Sequence, residues 1–380
     1  MMVTAAVSAG RVDIAALLLL GSVIASFYYL RIIRVLFFQP YQGAEVHEAP
    51  ASMLTAVGVL AAVIVFGGVI PGPQFAAVRA VADLMAARGG LAPVVLPDLT
   101  MIWPLAALIS AIGAVAIWLV GKRSVRASGW LAIAVAAASF VAVLAEPQRY
   151  DMLSFAFALL ISGVGTLNMT YATGYMAHGH AQPRFFAAFT LMIAGLLGMT
   201  GSHDFFNFFA FWELMSSWAL YVALVHEETA DARREAFKYF IFNTVGASFM
   251  FIGIAMLGTK AGSFSFAAVA QAAPSMPIVW FGSALCLVLL GMLMKAAMLP
   301  IRIDYQMHPA TAPTPVSGYI SAVLLKSGPY GVLKMFALFG GATVIGRLGM
   351  VAGVPVVMNV VAIIGGITLL YAGAMARART

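Results

Sequence analysis

Apolar residues along this chain run in blocks near the ~20-residue length that carries a helix across ~30 Å of hydrocarbon, with short polar stretches between them. The blocks fall at 14–37, 53–70, 100–120, 128–145, 151–173, 185–202, 204–225, 236–259, 278–300, 314–338 and 347–374. The period-2 alternation of a membrane β-barrel is absent. The pattern predicts an all-α, polytopic transmembrane helical bundle of about eleven spans. Between the second and third blocks, IPGPQFAAVRAVADLMAARGG has helical periodicity around Arg79, Asp83 and Arg88 and reads as an amphipathic surface helix. The two prolines of LAPVVLPDLT then mark an internal boundary, dividing the chain into 1–92 and 93–380.

Composition agrees with the pattern. Of 380 residues, 63% are hydrophobic and 9% charged, and mean hydropathy is +0.99. The lone cysteine, Cys286, excludes an intrachain disulfide framework and a CxxC-type metal or iron–sulfur site. The net charge of +7 comes from residues scattered at block ends rather than from a basic patch, so it predicts no nucleic-acid partner. Lys122, Arg123, Arg126, Arg184, Arg233, Arg234, Arg377 and Arg379 fall on one alternating set of loops and the chain end. The positive-inside bias assigns that set to the cytoplasm. It places the N-terminus outside and the C-terminus inside a multi-pass protein of the cell's inner (plasma) membrane. Arg31 and Arg34 read as interface anchors at a span end.

Candidate chemistry begins at 204–225, DFFNFFAFWELMSSWALYVALV, where Glu213 stands near the middle of an aromatic run. A carboxylate there costs roughly 2.5 kcal/mol or more to insert, so it faces a bundle interior, a partner charge or water. Lys238 lies just inside the next block, where it either snorkels to the interface or joins a relay. Lys295 precedes Pro300, which breaks its helix, and Pro309, Pro313 and Pro315 follow. Irregular backbone at membrane depth is tolerated where it is buried in protein or lines a wet cavity. Lys326 precedes a Ser-Gly-Pro step that loosens its helix, and Lys334 lies nearer the outer end. One acid and several lysines at membrane depth fit a proton or cation relay, with structural ion pairs as the alternative. His178 and His180 lack a third ligand, so no metal site is expected there. There is no GxGxxG, Walker A motif or cysteine cluster. No cofactor is expected, and redox chemistry, if coupled, belongs to other subunits.

Three stretches carry a resemblance: FFAFWELMSSWALY, AFKYFIFNTVGA, and LMKAAMLPIRIDYQMHPATAPTPVSGYISAVLLKSGPYGVLK. They resemble the antiporter-like subunits of respiratory complex I, membrane-bound hydrogenases and Mrp-type sodium/proton antiporters. The resemblance implies that Glu213 pairs with Lys295, that Lys326 passes the proton onward, and that Lys238 is an accessory. The loop IRIDYQMHPAT keeps Pro300, Asp304 and His308 but lacks the family's tryptophan. Residues 95–375 resemble the N-terminal half of such a subunit, and 14–90 resemble the last two helices of another. The chain therefore reads as a split piece of a tandem fusion, or as a short subunit completed by a partner that supplies a second half-channel. The expected function is proton translocation in a complex I-like or hydrogenase assembly, with iron–sulfur redox subunits elsewhere and the lipid bilayer around it. The rivals are an Mrp-type or carbon-uptake-coupled antiporter and a non-transporting scaffold. No redox active site of its own is expected.

Overall fold

The computed structural model describes Val7 and residues 10–38, 49–69, 103–300 and 311–378. The expected surface helix, the boundary at 91–100, and Asp304, His308 and Pro309 lie outside the described residues.

The first helices are α1 (Val12–Phe38), α2 (Ala51–Val69), α3 (Leu105–Gly121), α4 (Val125–Ala145), α5 (Met152–Tyr175) and α6 (Gln182–Thr200). Next come α7 (Phe205–Glu213), a π turn over Leu214–Trp218, α8 (Ala219–Leu224), α9 (Ala230–Ala261), α10 (Phe266–Ala272) and α11 (Ile278–Lys295). The last are α12 (Thr314–Ala322), α13 (Ser327–Leu338) and α14 (Val356–Ala378). Met350–Val351 and Val354–Pro355 form a two-stranded hairpin before α14.

Short polar residues start the helices where the sequence punctuates its apolar blocks. Ser124, Asp151, Asp204 and Thr229 each accept a hydrogen bond from the backbone N–H three residues on, capping α4, α5, α7 and α9. Gly262 ends α9 in the left-handed region at φ +69°, which its missing Cβ makes inexpensive.

Among the described residues, seven helices, α1, α4, α5, α6, α9, α11 and α14, are long and apolar enough to cross a membrane by length and composition. Two blocks expected as continuous spans are composite. Block 204–225 is α7, the π turn and α8 in series. Block 314–338 is α12 and α13 joined by a 3-10 turn at Leu324–Lys326, immediately before the Ser-Gly-Pro step. The block at 278–300 also ends early. Helix α11 stops at Lys295, and Ala297 takes φ +56°, so the break precedes Pro300.

The core centres on α6, most of whose residues are buried, with α3, α4, α5, α7 and α8 packed around it. Phe185, Phe189, Phe208, Trp212, Tyr319 and Tyr330 are the bulk of its filling. Helices α9 and α11 run antiparallel at close range. A Cβ on Gly291 would stand 2.4 Å from the Gly246 carbonyl oxygen, so only hydrogen at Gly291 permits the approach. Large side chains such as Ile64, Ile112, Trp130, Trp218 and Val279 are exposed on the outer faces. That is an outside suited to lipid or to partner subunits rather than water.

Candidate functional site

The described helix ends sort into two faces. At one, α5 begins, α6 ends and α7 begins; Phe205 N–H donates to Phe264 O and Phe266 N–H to His203 O, at 2.9 and 3.0 Å, tying this face to the loop after α9. At the other, His180 and Arg184 meet His226 and Glu228.

Glu213 is half-buried at the last residue of α7, where the π turn starts. Ser217 Oγ, inside that turn, donates to Glu213 Oε1 at 3.3 Å. Lys295, at the end of α11, is 2% exposed. Its Nζ donates to Asn243 Oδ1 of α9 at 3.0 Å and stands 5.2 Å from the Tyr239 ring centroid. Asn243 Nδ2 in turn donates to the Tyr239 carbonyl at 2.7 Å, which fixes the amide with its oxygen toward the lysine. Glu213 and Lys295 lie within electrostatic reach of each other. No ion pair within 4.0 Å joins them among the described residues.

The remaining candidates separate. Lys326 sits in the 3-10 turn between α12 and α13 and donates back to the Ser321 carbonyl. Lys238 bonds Glu235, one turn before it on α9, at 3.0 Å in the open, and is not brought to Lys295. Pro313 leads into α12 and Pro315 is buried in its first turn. Asn168 Nδ2 donates to the Pro315 carbonyl at 2.7 Å and Tyr319 Oη to the Ile161 carbonyl at 2.9 Å, locking α12 to α5. Leu299 N–H, within the break, donates to Thr368 Oγ1 of α14 at 3.0 Å.

Lys334 belongs to a second cluster at the first face. Its Nζ ion-pairs with Asp151, donates to Ser154 Oγ at 3.0 Å, and lies 5.7 Å from the Phe266 ring centroid. Ser154 Oγ also bonds Asp151 Oδ2 and Tyr330 Oη, both at 2.8 Å. Burial pushes the Asp151 carboxyl up, but the Lys334 charge and the Lys334 and Ser154 hydrogen bonds outweigh it and hold the group below the ordinary carboxylate range. His203, between α6 and α7, is lowered to about 4, first by burial and then by the Arg149 and Lys334 charges. At the opposite face His180 stacks on the buried His226 with centroids 4.7 Å apart, and Arg184 pairs with Glu228 at 2.5 Å. His226 is lowered to about 4 by burial, then by His180 and Arg184.

Four partners went unread in the sequence: Asn243, Asp151, His203 and His226. Asp151 had a signal, the Asp-x-x-Ser cap that starts α5. Asn243 had a weaker one, a carboxamide inside an apolar helix, since buried polar side chains need partners.

Fold and site together define a polytopic helical membrane protein with lysines enclosed in its bundle. Residues 202–380 match the family model described as NADH:quinone oxidoreductase/Mrp antiporter, TM. Residues 147–186 match that for NADH-Ubiquinone oxidoreductase (complex I), chain 5 N-terminus. The chain is 32% identical over 197 residues to a component of a probable K(+)/H(+) antiporter of Rhizobium meliloti, covering 51% of this chain and 19% of that protein. It is 29% identical over 226 residues to NADH-quinone oxidoreductase subunit L of Mycobacterium tuberculosis, covering 59% and 33%. Among solved structures it shares the fold of a chain of the Mrp complex from Dietzia sp. DQ12-45-1b, with TM-score 0.53, 20% identity, and 60% of this chain and 27% of that one covered. A chain of the membrane-bound sulfane sulfur reductase, an archaeal respiratory membrane complex, matches with TM-score 0.51 and 21% identity over 63% and 53%. Over residues 147–186 and 202–380 the chain is thus similar to the antiporter-like membrane subunits that complex I and Mrp antiporters share. It spans at most about a third of the length of the curated relatives named here.

Proposed function

We propose that the chain moves protons through the membrane by way of Lys295, with Glu213 setting how tightly that lysine holds its proton. The observation that carries this reading is the surroundings of Lys295: an enclosed ammonium at the end of a broken helix, bonded to a neutral amide, with its carboxylate near but not in contact. An isolated charge in such a place is costly unless its protonation can change, and shifting the lysine toward or away from a carboxylate alters its proton affinity. Lys326, at the α12–α13 turn, is the proposed onward carrier toward a second half-channel supplied by a partner chain. The Asp151 contact makes Lys334 a clamp in this reading, and the Glu235 contact makes Lys238 an interface residue.

The chain works inside an inner-membrane assembly, its basic loops facing the cytoplasm and iron–sulfur redox subunits, where present, elsewhere in the complex. Division into 1–92 and 93–380 units is part of the same proposal. A second reading, a cation/proton antiporter of Mrp type, is supported by the relative named for K(+)/H(+) antiport.

Inverted membrane vesicles from cells carrying the chain, with a pH-sensitive dye, test the reading. Glu213→Gln and Lys295→Ala are each expected to abolish proton movement with assembly intact; normal movement in both would sink the relay and leave a scaffold. Dependence of the signal on added sodium or potassium would favour the second reading.

A further inference from the structure

The amide that holds Lys295 is more than helix glue. Asn243 and Lys295 lie 52 positions apart in sequence and meet where α9 and α11 pack most closely, beside Gly246 and Gly291. The Asn243 amide is oriented by its nitrogen, which donates to the Tyr239 carbonyl. Its oxygen therefore faces the lysine. An amide oxygen accepts an N–H from an ammonium or from a neutral amine, whereas a carboxylate strongly prefers the ammonium. Glu213 meanwhile is held by Ser217, outside ion-pair distance of Lys295 among the described contacts.

We propose that Asn243 is a positioning residue that keeps the Lys295 amine in place in both its protonated and its deprotonated state, so that the lysine can give up its proton without leaving the site. This rests on Lys295 carrying the transported proton. In the loading step a proton joins the Lys295 nitrogen, forming an N–H bond and an ammonium. In release that bond breaks, the proton passes to the next acceptor, and the neutral amine keeps its hydrogen bond to Asn243 Oδ1. Among the described residues, the titratable side chains near Lys295 are Glu213 and Tyr239.

Asn243→Asp separates this role from packing. The substitution is isosteric and keeps an oxygen opposite Lys295 but loses the donor to the Tyr239 carbonyl, so assembly and thermal stability report that structural loss while the pH profile reports the effect on the lysine. A positioning role that requires neutrality would not survive the substitution. In the same vesicle assay Asn243→Asp is expected to cut proton movement at least tenfold near neutral pH. What remains should have its high-pH limb moved upward, because the added carboxylate holds the lysine protonated. Asn243→Leu is expected to lose movement without that pH displacement, and Asn243→Gln to recover part of it. Wild-type rate and pH profile in Asn243→Asp would overturn the proposal. Should Asn243→Asp fail to assemble, Asn243→Gln and Asn243→Leu decide the matter: equal rates in the two would overturn it. Glu213→Gln runs alongside. If it is inactive while Asn243→Asp is normal, only the Asn243 proposal falls; if Glu213→Gln and Lys295→Ala are both normal, the relay beneath it falls.

Discussion

Two acid–lysine pairs cross this bundle, and they are built in opposite ways. Asp151 and Lys334 touch, and Ser154 and Tyr330 complete a network around them at the face where α5 begins. Glu213 and Lys295 stand apart, each bonded to a neutral side chain. Contact fixes charge: in the first pair the carboxylate and the ammonium stabilise each other's ionised form, and neither gains by changing protonation. Separation leaves the second pair's proton affinity sensitive to small movements. Residue types alone do not distinguish the two.

The largest effect expected from this contrast is in arginine replacements, since a guanidinium makes an ion pair but does not deprotonate. Lys295→Arg should abolish proton movement in vesicles, while Lys334→Arg should leave it within about twofold of wild type. Equal loss in both would erase the distinction. The next effect is on stability. Asp151→Asn strands a buried ammonium, for which a cost on the order of 3–5 kcal/mol is typical. Thermal aggregation of the detergent-solubilised chain should move down strongly, and the Asp151→Asn, Lys334→Met double variant should recover most of that loss. Glu213→Gln, which breaks no contact pair, should move it little.

Much of the fold was readable, for physical reasons that single residues make plain. Apolar length located the blocks, and Ser124, Asp151, Asp204 and Thr229 capped helices where short polar residues precede apolar runs. The Ser-Gly-Pro step was legible as a loosening, and the helix does break beside it at Leu324–Lys326. The break after α11 was read at Pro300 because proline advertises itself. Ala297 in the left-handed region has no sequence mark, and there the chain turns. The π turn likewise contains neither Gly nor Pro. The site was legible as a set of suspects and not as pairs. Lys334 finds Asp151 across 183 positions and Lys295 finds Asn243 across 52, distances at which periodicity carries no information.

The smallest expected effect lies at the opposite face, away from both pairs. His226 is held near pH 4 in the folded chain against about 6.5 for a free imidazole, so the unfolded state binds more protons between those values. Stability from this group is complete above about pH 6.5 and is lost as pH falls toward 4. Thermal midpoints measured across that window should fall less steeply in His226→Phe. The slope should not vanish, because His203 is also lowered to about 4.

The π turn below Glu213 sets the winding of everything that follows it. Each helical residue subtends about 100°, and a π turn admits one residue more than an α turn. Leu220, Ala223 and Leu224 are buried because that additional residue has already rotated them toward α6. Winding 214–218 as an even α-helix with every residue kept would swing this row off the core by about 100°, whereas deleting one residue there would restore an even helix with the row still facing the core. The segment thus behaves as a keyed joint: the acid above it and the packing below it are set by the same twist, and neither can be re-aimed without the other.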